Sequence, residues 1–225
     1  MTSDRLDVDI LLFDVFGTLF DHDSALAEAS AGLGEKADAL ASLWRQRQLE
    51  YSWLRTLMHR PADFRQVTEE GLDYALAALG LPGELKAPLM ATYRRLAPYP
   101  EVADALAGLA ATGRPLAILS NGSPAMLQAV VRAAGLEARF TARLSAAAAH
   151  VFKPHPLVYQ LAVDHFGVPR ERLCLVSANG WDAAGAAAFG MKAVWVNRKD
   201  APLERLPTEP DAVISSLAEL APLLA

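Results

Sequence analysis

The sequence predicts an α/β doubly wound fold, a Rossmann-like parallel sheet with an all-helical segment inserted after the first strand. Three observations carry this. Short β-type runs alternate with helical patterns along most of the 225 residues, the rhythm of strand–helix–strand units. Several runs, such as "PLAILS" at 115–120 and "LCLVS" at 173–177, are nearly continuous in apolar residues. That suits strands buried on both faces of a parallel sheet. Residues 24 to about 97 break the rhythm, because no good strand occurs there.

Taken in order, strands are expected at Val8–Phe13, Pro115–Ser120, Phe140–Ser145, Leu173–Ser177, Lys192–Asn197 and Asp211–Ile214. Helices are expected between them at 101–112, 124–135, 156–167 and 182–189. Within the insert, Leu40, Leu43, Trp44, Tyr51, Leu54, Leu57 and Met58 follow a helical period over one long segment. Further helices are expected at 66–79 and 84–96. "APYP" at 97–100 reads as a hinge back to the sheet. The organisation is therefore a core of residues 1–20 and 98–225 and a helical cap of residues 21–97.

Composition narrows the class. The net charge is −5, and no basic stripe points to nucleic acid. The single cysteine, Cys174, excludes an internal disulfide framework and fits a reducing compartment. The start "MTSDRLDVD" lacks the apolar stretch of a secretory signal, and no uncharged apolar run reaches membrane-spanning length. A cytoplasmic protein with no membrane partner is expected.

Chemistry is concentrated at strand ends. "LLFDVFGTLFD" at 11–21 carries Asp14 out of a buried strand and turns behind it. In open α/β sheets ligands bind beyond the carboxyl ends of the strands. Ser120, Ser145 and Ser177 end three other strands. Singly, Asp14 reads equally well as a turn residue and the serines as helix caps. In "LSNGSPAM" at 119–126, Ser123 and Pro124 suit the N-cap and first turn of a helix, an arrangement that offers backbone N–H groups to an anion. "VFKPHP" at 151–156 places Lys153, one of only five lysines beside sixteen arginines, before another helix. "LVSANGWDAAG" at 175–185 brings Ser177, Asn179 and Asp182 after a buried strand.

The motifs DVFGT (14–18), LSNG (119–122), FKP (152–154) and SANGWD (177–182) resemble those of the haloacid dehalogenase superfamily, in the family's order and covering essentially the whole chain. Most members of that superfamily are magnesium-dependent phosphatases with a second aspartate two residues after the nucleophile. Here that position is Phe16, which can neither donate a proton nor bind a metal. Asp182 is the one acid within the last motif. Magnesium prefers oxygen ligands, and Asp14 with Asp182 could supply two, so a magnesium phosphatase stays open as an alternative. A catalytically silent binding protein of the same fold is a further one.

The closer resemblance is to the L-2-haloacid dehalogenases, whose cap carries a segment like "LWRQRQLEYSWLRTLM" (43–58). That resemblance implies a metal-free, cofactor-free hydrolase that converts short L-2-haloacids to D-2-hydroxy acids, and it implies a homodimer. It implies Asp14 as nucleophile, and Thr18, Ser177 and Asn179 as holders of its carboxylate and of water. Arg45 and Asn121 would receive the halide and Ser120 the substrate carboxylate. Lys153 would neutralise charge, and Tyr159 and Asp182 would complete the polar network, with Asp182 activating water. Phe16, Gln46, Leu49, Phe64 and Trp181 would wall the pocket. Phe16 stands where many relatives have tyrosine, and "SAAAAH" at 145–150 lacks an acid often found there.

These residue types suit the chemistry. A carboxylate can displace a halide in line and form an ester. Substrate carboxylate, Asp14 and Asp182 repel one another, and Lys153 and Arg45 are the cations placed to offset them. Guanidinium is weakly hydrated and permanently charged, which suits a halide. A serine hydrolase is disfavoured, since no G-x-S-x-G occurs. A nucleotide-binding module is disfavoured too, because "GLG" at 32–34 lies in the helical insert.

Overall fold

The structure is a computed structural model and describes residues 5–224. Residues 1–4 and 225 of the expected core lie outside the described residues. Six strands form one sheet: β1 Ile10–Phe13, β2 Leu116–Ser120, β3 Ala142–Ser145, β4 Leu173–Ser177, β5 Lys192–Val196 and β6 Ala212–Ile214. All neighbours are parallel, in the order β3-β2-β1-β4-β5-β6. The chain steps outward from β1 through β3, then restarts on the other side with β4. Strand order therefore reverses between β1 and β4, and a crevice opens beyond their carboxyl ends.

Burial follows position in the sheet. Every residue of β1, β2 and β4 is buried, as their apolar runs require. The edge strands β3 and β6 keep exposed positions, Arg143 among them, and a charged edge discourages pairing with another sheet. β1 starts two residues later than expected. Asp9 turns away because its carboxylate is taken by the Arg172 guanidinium at 2.5 and 3.0 Å, and its N–H donates to the Arg172 carbonyl.

Four helices lie between β1 and the next core element: α1 His22–Ser30, α2 Lys36–Leu57, α3 Phe64–Ala78 and α4 Lys86–Thr92. The core helices are α5 Val102–Ala110, α6 Pro124–Ala133, α7 Pro156–Phe166 and α8 Gly180–Phe189. The segments into and out of the insert touch, since Phe20 bridges Pro98, Asp21 N–H donates to Ala97 O, and Tyr99 N–H donates to Leu19 O. α4 is shorter than the helix expected over 84–96, because Arg94 and Arg95 already close turns onto Ala91 and Thr92.

The long helix expected from the period of Leu40 through Met58 is α2, but only part of that apolar set is buried. Its buried face is Leu40, Trp44, Gln48 and Ser52, a strict i+4 row. Leu54, Leu57 and Met58 are 48, 75 and 58 % exposed, so they close no core within the chain.

Candidate active site

Asp14 follows β1 directly. Its N–H donates to Val176 O on β4 (3.0 Å), which fixes the carboxylate at the mouth of the crevice. Behind it the chain turns back at once. Gly17 takes φ +83°, a conformation in which a Cβ is strained, and the N–H groups of Thr18, Leu19 and Phe20 all donate to Val15 O. That turn brings Thr18 back over Asp14. The Thr18 hydroxyl donates to Asp14 Oδ2 (3.3 Å) and accepts from Ala178 N–H (2.8 Å), tying the loops after β1 and β4 together.

The charges are packed tightly. Lys153 is 1 % exposed, and its ammonium donates to Asp14 Oδ1 (3.3 Å) and Asp182 Oδ2 (2.8 Å). Tyr159 donates to Asp182 Oδ1 (2.9 Å). Burial opposes the charged lysine, but Asp182 and Asp14 outweigh it and hold Lys153 above the ordinary lysine value. Burial, together with repulsion from Asp14, lifts Asp182 above the usual carboxylate value despite Lys153. Burial and the neighbouring Asp182 charge hold the Tyr159 phenol well above 10, so it is a donor at any ordinary pH.

Asn179 connects core to insert. It occupies the N-cap of α8 yet makes no side-chain cap bond. Its amide is committed elsewhere: Nδ2 donates to Asp14 Oδ2 (3.1 Å) and Oδ1 accepts from Arg45 Nη2 (3.0 Å). Arg45 thus reaches the site from α2. Phe16 is buried, with its ring 6.2 Å from Phe64 in a stacked arrangement and 5.5 Å from Tyr93 edge-on. Phe64 also meets Phe152 at 5.8 Å. Trp181 is half-buried and packs edge-on against Trp53 across the seam between α8 and α2.

Other expected residues are less direct. Ser177 Oγ accepts from Asn179 N–H (3.2 Å), so it shapes the loop that presents Asn179. Ser120 Oγ accepts from Gly122 N–H (3.3 Å), and Ser145 donates to Gly122 O (2.7 Å). Asn121 Oδ1 accepts from Lys153 N–H (2.9 Å), joining the loops after β2 and β3. Ser123 caps α6 through Met126 N–H, with Pro124 in the first turn. Gln46 is not brought to the site. It is exposed and donates to Glu50 (2.7 Å) one turn along α2. Leu49 is half-buried and, with Gln46 and Arg45, lines a cleft between α1 and α2. A second cavity, about 200 Å³, touches the site itself and is walled by Phe16, Arg45, Asn179, Tyr99, Trp195 and Arg198.

Sequence reasoning missed Gln48. It is fully buried and accepts from Arg45 Nη1 at 2.6 Å. The signal was present: Gln48 is the third member of the i+4 row Leu40, Trp44, Gln48, and an amide on an apolar face needs partners. Among the described residues no group of three or more His, Cys, Asp or Glu is placed to hold a metal ion. The position between Asp14 and Asp182 is taken by the Lys153 ammonium. No helix among them is long and apolar enough to cross a membrane.

The family model of haloacid dehalogenase-like hydrolases matches residues 8–190. The chain is 45 % identical to (S)-2-haloacid dehalogenase 4A of Burkholderia cepacia over 95 % of its own length and 94 % of that protein's. It is 44 % identical to (S)-2-haloacid dehalogenase 1 of Pseudomonas sp. strain CBS-3, covering 95 % of each. Among solved structures, the L-2-haloacid dehalogenase of Xanthobacter autotrophicus with chloropropionic acid covalently bound superposes with a TM-score of 0.87 at 39 % identity, covering 96 % of this chain and 98 % of that one. The chain belongs to the haloacid dehalogenase-like hydrolases, in the branch of the (S)-2-haloacid dehalogenases.

Proposed function

We propose that the protein hydrolyses short L-2-haloalkanoic acids to D-2-hydroxy acids, using Asp14 as a covalent nucleophile. The observation that carries this is the Asp14 carboxylate itself. It is 6 % exposed, with one oxygen held by Lys153 and the other by Thr18 and Asn179. A carboxylate stripped of bulk water and oriented by fixed donors is a competent in-line nucleophile.

In the first step an Asp14 oxygen attacks C2 from the rear. The C–O bond forms as the carbon–halogen bond breaks, and the halide leaves with the bonding pair toward Arg45. Configuration at C2 inverts. In the second step water attacks Asp14 Cγ and gives its proton to Asp182, whose raised proton affinity suits a base. The Cγ–O bond to the substrate then breaks, the departing alkoxide takes the proton held by Asp182, and the hydroxy acid leaves with its inverted centre intact, while the regenerated Asp14 carboxyl gives up its remaining proton to solvent. Neither step calls for a Lewis acid. Lys153 offsets the negative charges of Asp14, Asp182 and substrate, while the carboxylate of the substrate meets the Ser120–Asn121 loop. Phe16, Phe64 and Trp181 exclude water around the alkyl group.

The insert acts as a cap, with the paired linkers at Phe20 and Pro98 as the boundary between residues 21–97 and the core. The exposed Leu54, Leu57 and Met58 form the contact of a homodimer, and the protein works in the cytoplasm. The reading is tested by halide release from the two enantiomers of 2-chloropropionate with EDTA present. Release from the L form alone, undiminished by chelation, is expected. Turnover of p-nitrophenyl phosphate that depends on magnesium would overturn it.

A further inference from the structure

Gln48 lies within the insert, does not touch Asp14, and yet is joined to it by an unbroken chain of hydrogen bonds. Its Oε1 accepts from Arg45 Nη1 (2.6 Å), and its Nε2 donates to Thr68 Oγ1 (2.7 Å) and Tyr93 Oη (3.1 Å). Arg45 Nη2 continues to Asn179 Oδ1 (3.0 Å), and Asn179 Nδ2 to Asp14 Oδ2 (3.1 Å). Gln48, Thr68 and the Tyr93 ring are all buried.

The direction of this chain is determined by donor counting. The single hydroxyl proton of Thr68 is committed to Phe64 O (2.7 Å), so Thr68 can only accept from Gln48. The amide nitrogen must then face Thr68, and the amide oxygen must face Arg45. A reversed amide would set an NH₂ group against a guanidinium and bury two donors unpaired, each losing its solvation with no bond in return. The backbone is equally constrained. α3 crosses α2 at Gly71, where a Cβ would meet Gln48 N at 3.1 Å, so the absent side chain lets the two backbones approach closely enough for Gln48 to reach Thr68.

We infer that Gln48 is a positioning residue: Thr68 orients its amide, and the amide oxygen sets the plane in which Arg45 meets the departing halide. This rests on the dehalogenase reading above. Arg45 is then held on two sides, by a neutral oxygen from the cap and another from Asn179. It keeps its full positive charge for the anion, which a carboxylate partner in the place of Gln48 would have neutralised. The same Thr68 hydroxyl donates to the carbonyl of Phe64, so leaving-group site and apolar wall are set by one buried network.

The test is single-turnover halide release from L-2-chloropropionate and L-2-bromopropionate by wild type and by Gln48→Met, which keeps size and apolar contact but removes the amide. Chloride is the poorer leaving group and depends more on Arg45. A hydrogen bond to a charged group is worth about 10- to 100-fold in rate. Chloride release is expected to slow by that factor, and the chloride-to-bromide rate ratio to fall at least about threefold. The ratio is blind to partial unfolding, which scales both rates alike. Thr68→Val, which leaves Gln48 in place without its orienting acceptor, is expected to lower the ratio in the same direction. An unchanged ratio in both variants overturns the inference and leaves Gln48 as a packing residue. Absence of halide release from wild type would overturn the dehalogenase reading itself, so the two failures are distinct.

Discussion

Lys153→Met removes the ammonium that stands between two buried carboxylates. The side chain is 1 % exposed and lies 2.8 Å from Asp182 and 3.3 Å from Asp14. With an effective dielectric near 20, unit charges about 3 Å apart attract by about 5 kcal/mol, much of it offset by desolvation of the ammonium. Removing one partner of a buried pair leaves the other uncompensated and costs about 3–5 kcal/mol. That loss should depend on pH. Asp182 already takes up its proton above the ordinary 3.8, chiefly through burial, and without Lys153 it does so at higher pH still. Between 3.8 and the raised folded value, the native state holds a proton that the unfolded chain releases. Stability of the variant therefore falls as pH rises through that window, by about 1.4 kcal/mol for each unit of further shift. Urea unfolding at pH 4 and pH 7 measures it. The deficit relative to wild type should be about 3–5 kcal/mol at pH 7 and clearly smaller at pH 4. At the alkaline end the difference should shrink again above pH 10.5, where wild type loses the contribution of its own raised lysine. Equal deficits at pH 4 and 7, or one below about 1 kcal/mol at pH 7, would refute a charged lysine holding two carboxylates.

Two further outcomes test the surroundings. Lys199 and Asp23, which both line the cavity beside Arg45, pair at 2.5 Å, but the side chains are 76 and 46 % exposed. Lys199→Ala should change the unfolding free energy by less than about 1 kcal/mol, measured by urea titration in 0.15 M salt. Cys174 is buried in β4 with its thiol pushed up to about 12 by burial. Iodoacetamide at pH 8 should leave it unmodified in the folded protein and alkylate it on unfolding, as mass spectrometry will show.

The fold was legible because its strands announce themselves. "PLAILS" and "LCLVS" are too uniformly apolar for any but a central strand, and the strand ends place Asp14 and Ser177 at one edge. The six strands were found within two residues of their observed starts and ends. Their spatial order was not read from local pattern, because it is set by which crossover packs on which face. α1 escaped notice because among its apolar side chains only Leu26 is fully buried, leaving no period to read. In and just after α2 the apolar letters marked the helix but not its buried face: Leu54, Leu57 and Met58 point outward, while Gln48 and Ser52 point in. Hydrophobicity reports which residues want burial, whereas Gln48 is buried for its hydrogen bonds. The individual contacts of Asn179 and Asn121 were equally out of reach, since they depend on loops from four strands meeting in space.

The ester route is tested most directly by a single turnover of L-2-chloropropionate in heavy-oxygen water, with enzyme in excess over substrate. The peptide carrying Asp14 and the product lactate are then weighed. Attack of water at Asp14 Cγ puts the heavy oxygen into the Asp14 side chain and leaves the lactate light, its hydroxyl oxygen having come from the enzyme. Heavy oxygen in the lactate beside an unlabelled Asp14 would mean that water strikes C2 itself, and would contradict a covalent role for this carboxylate.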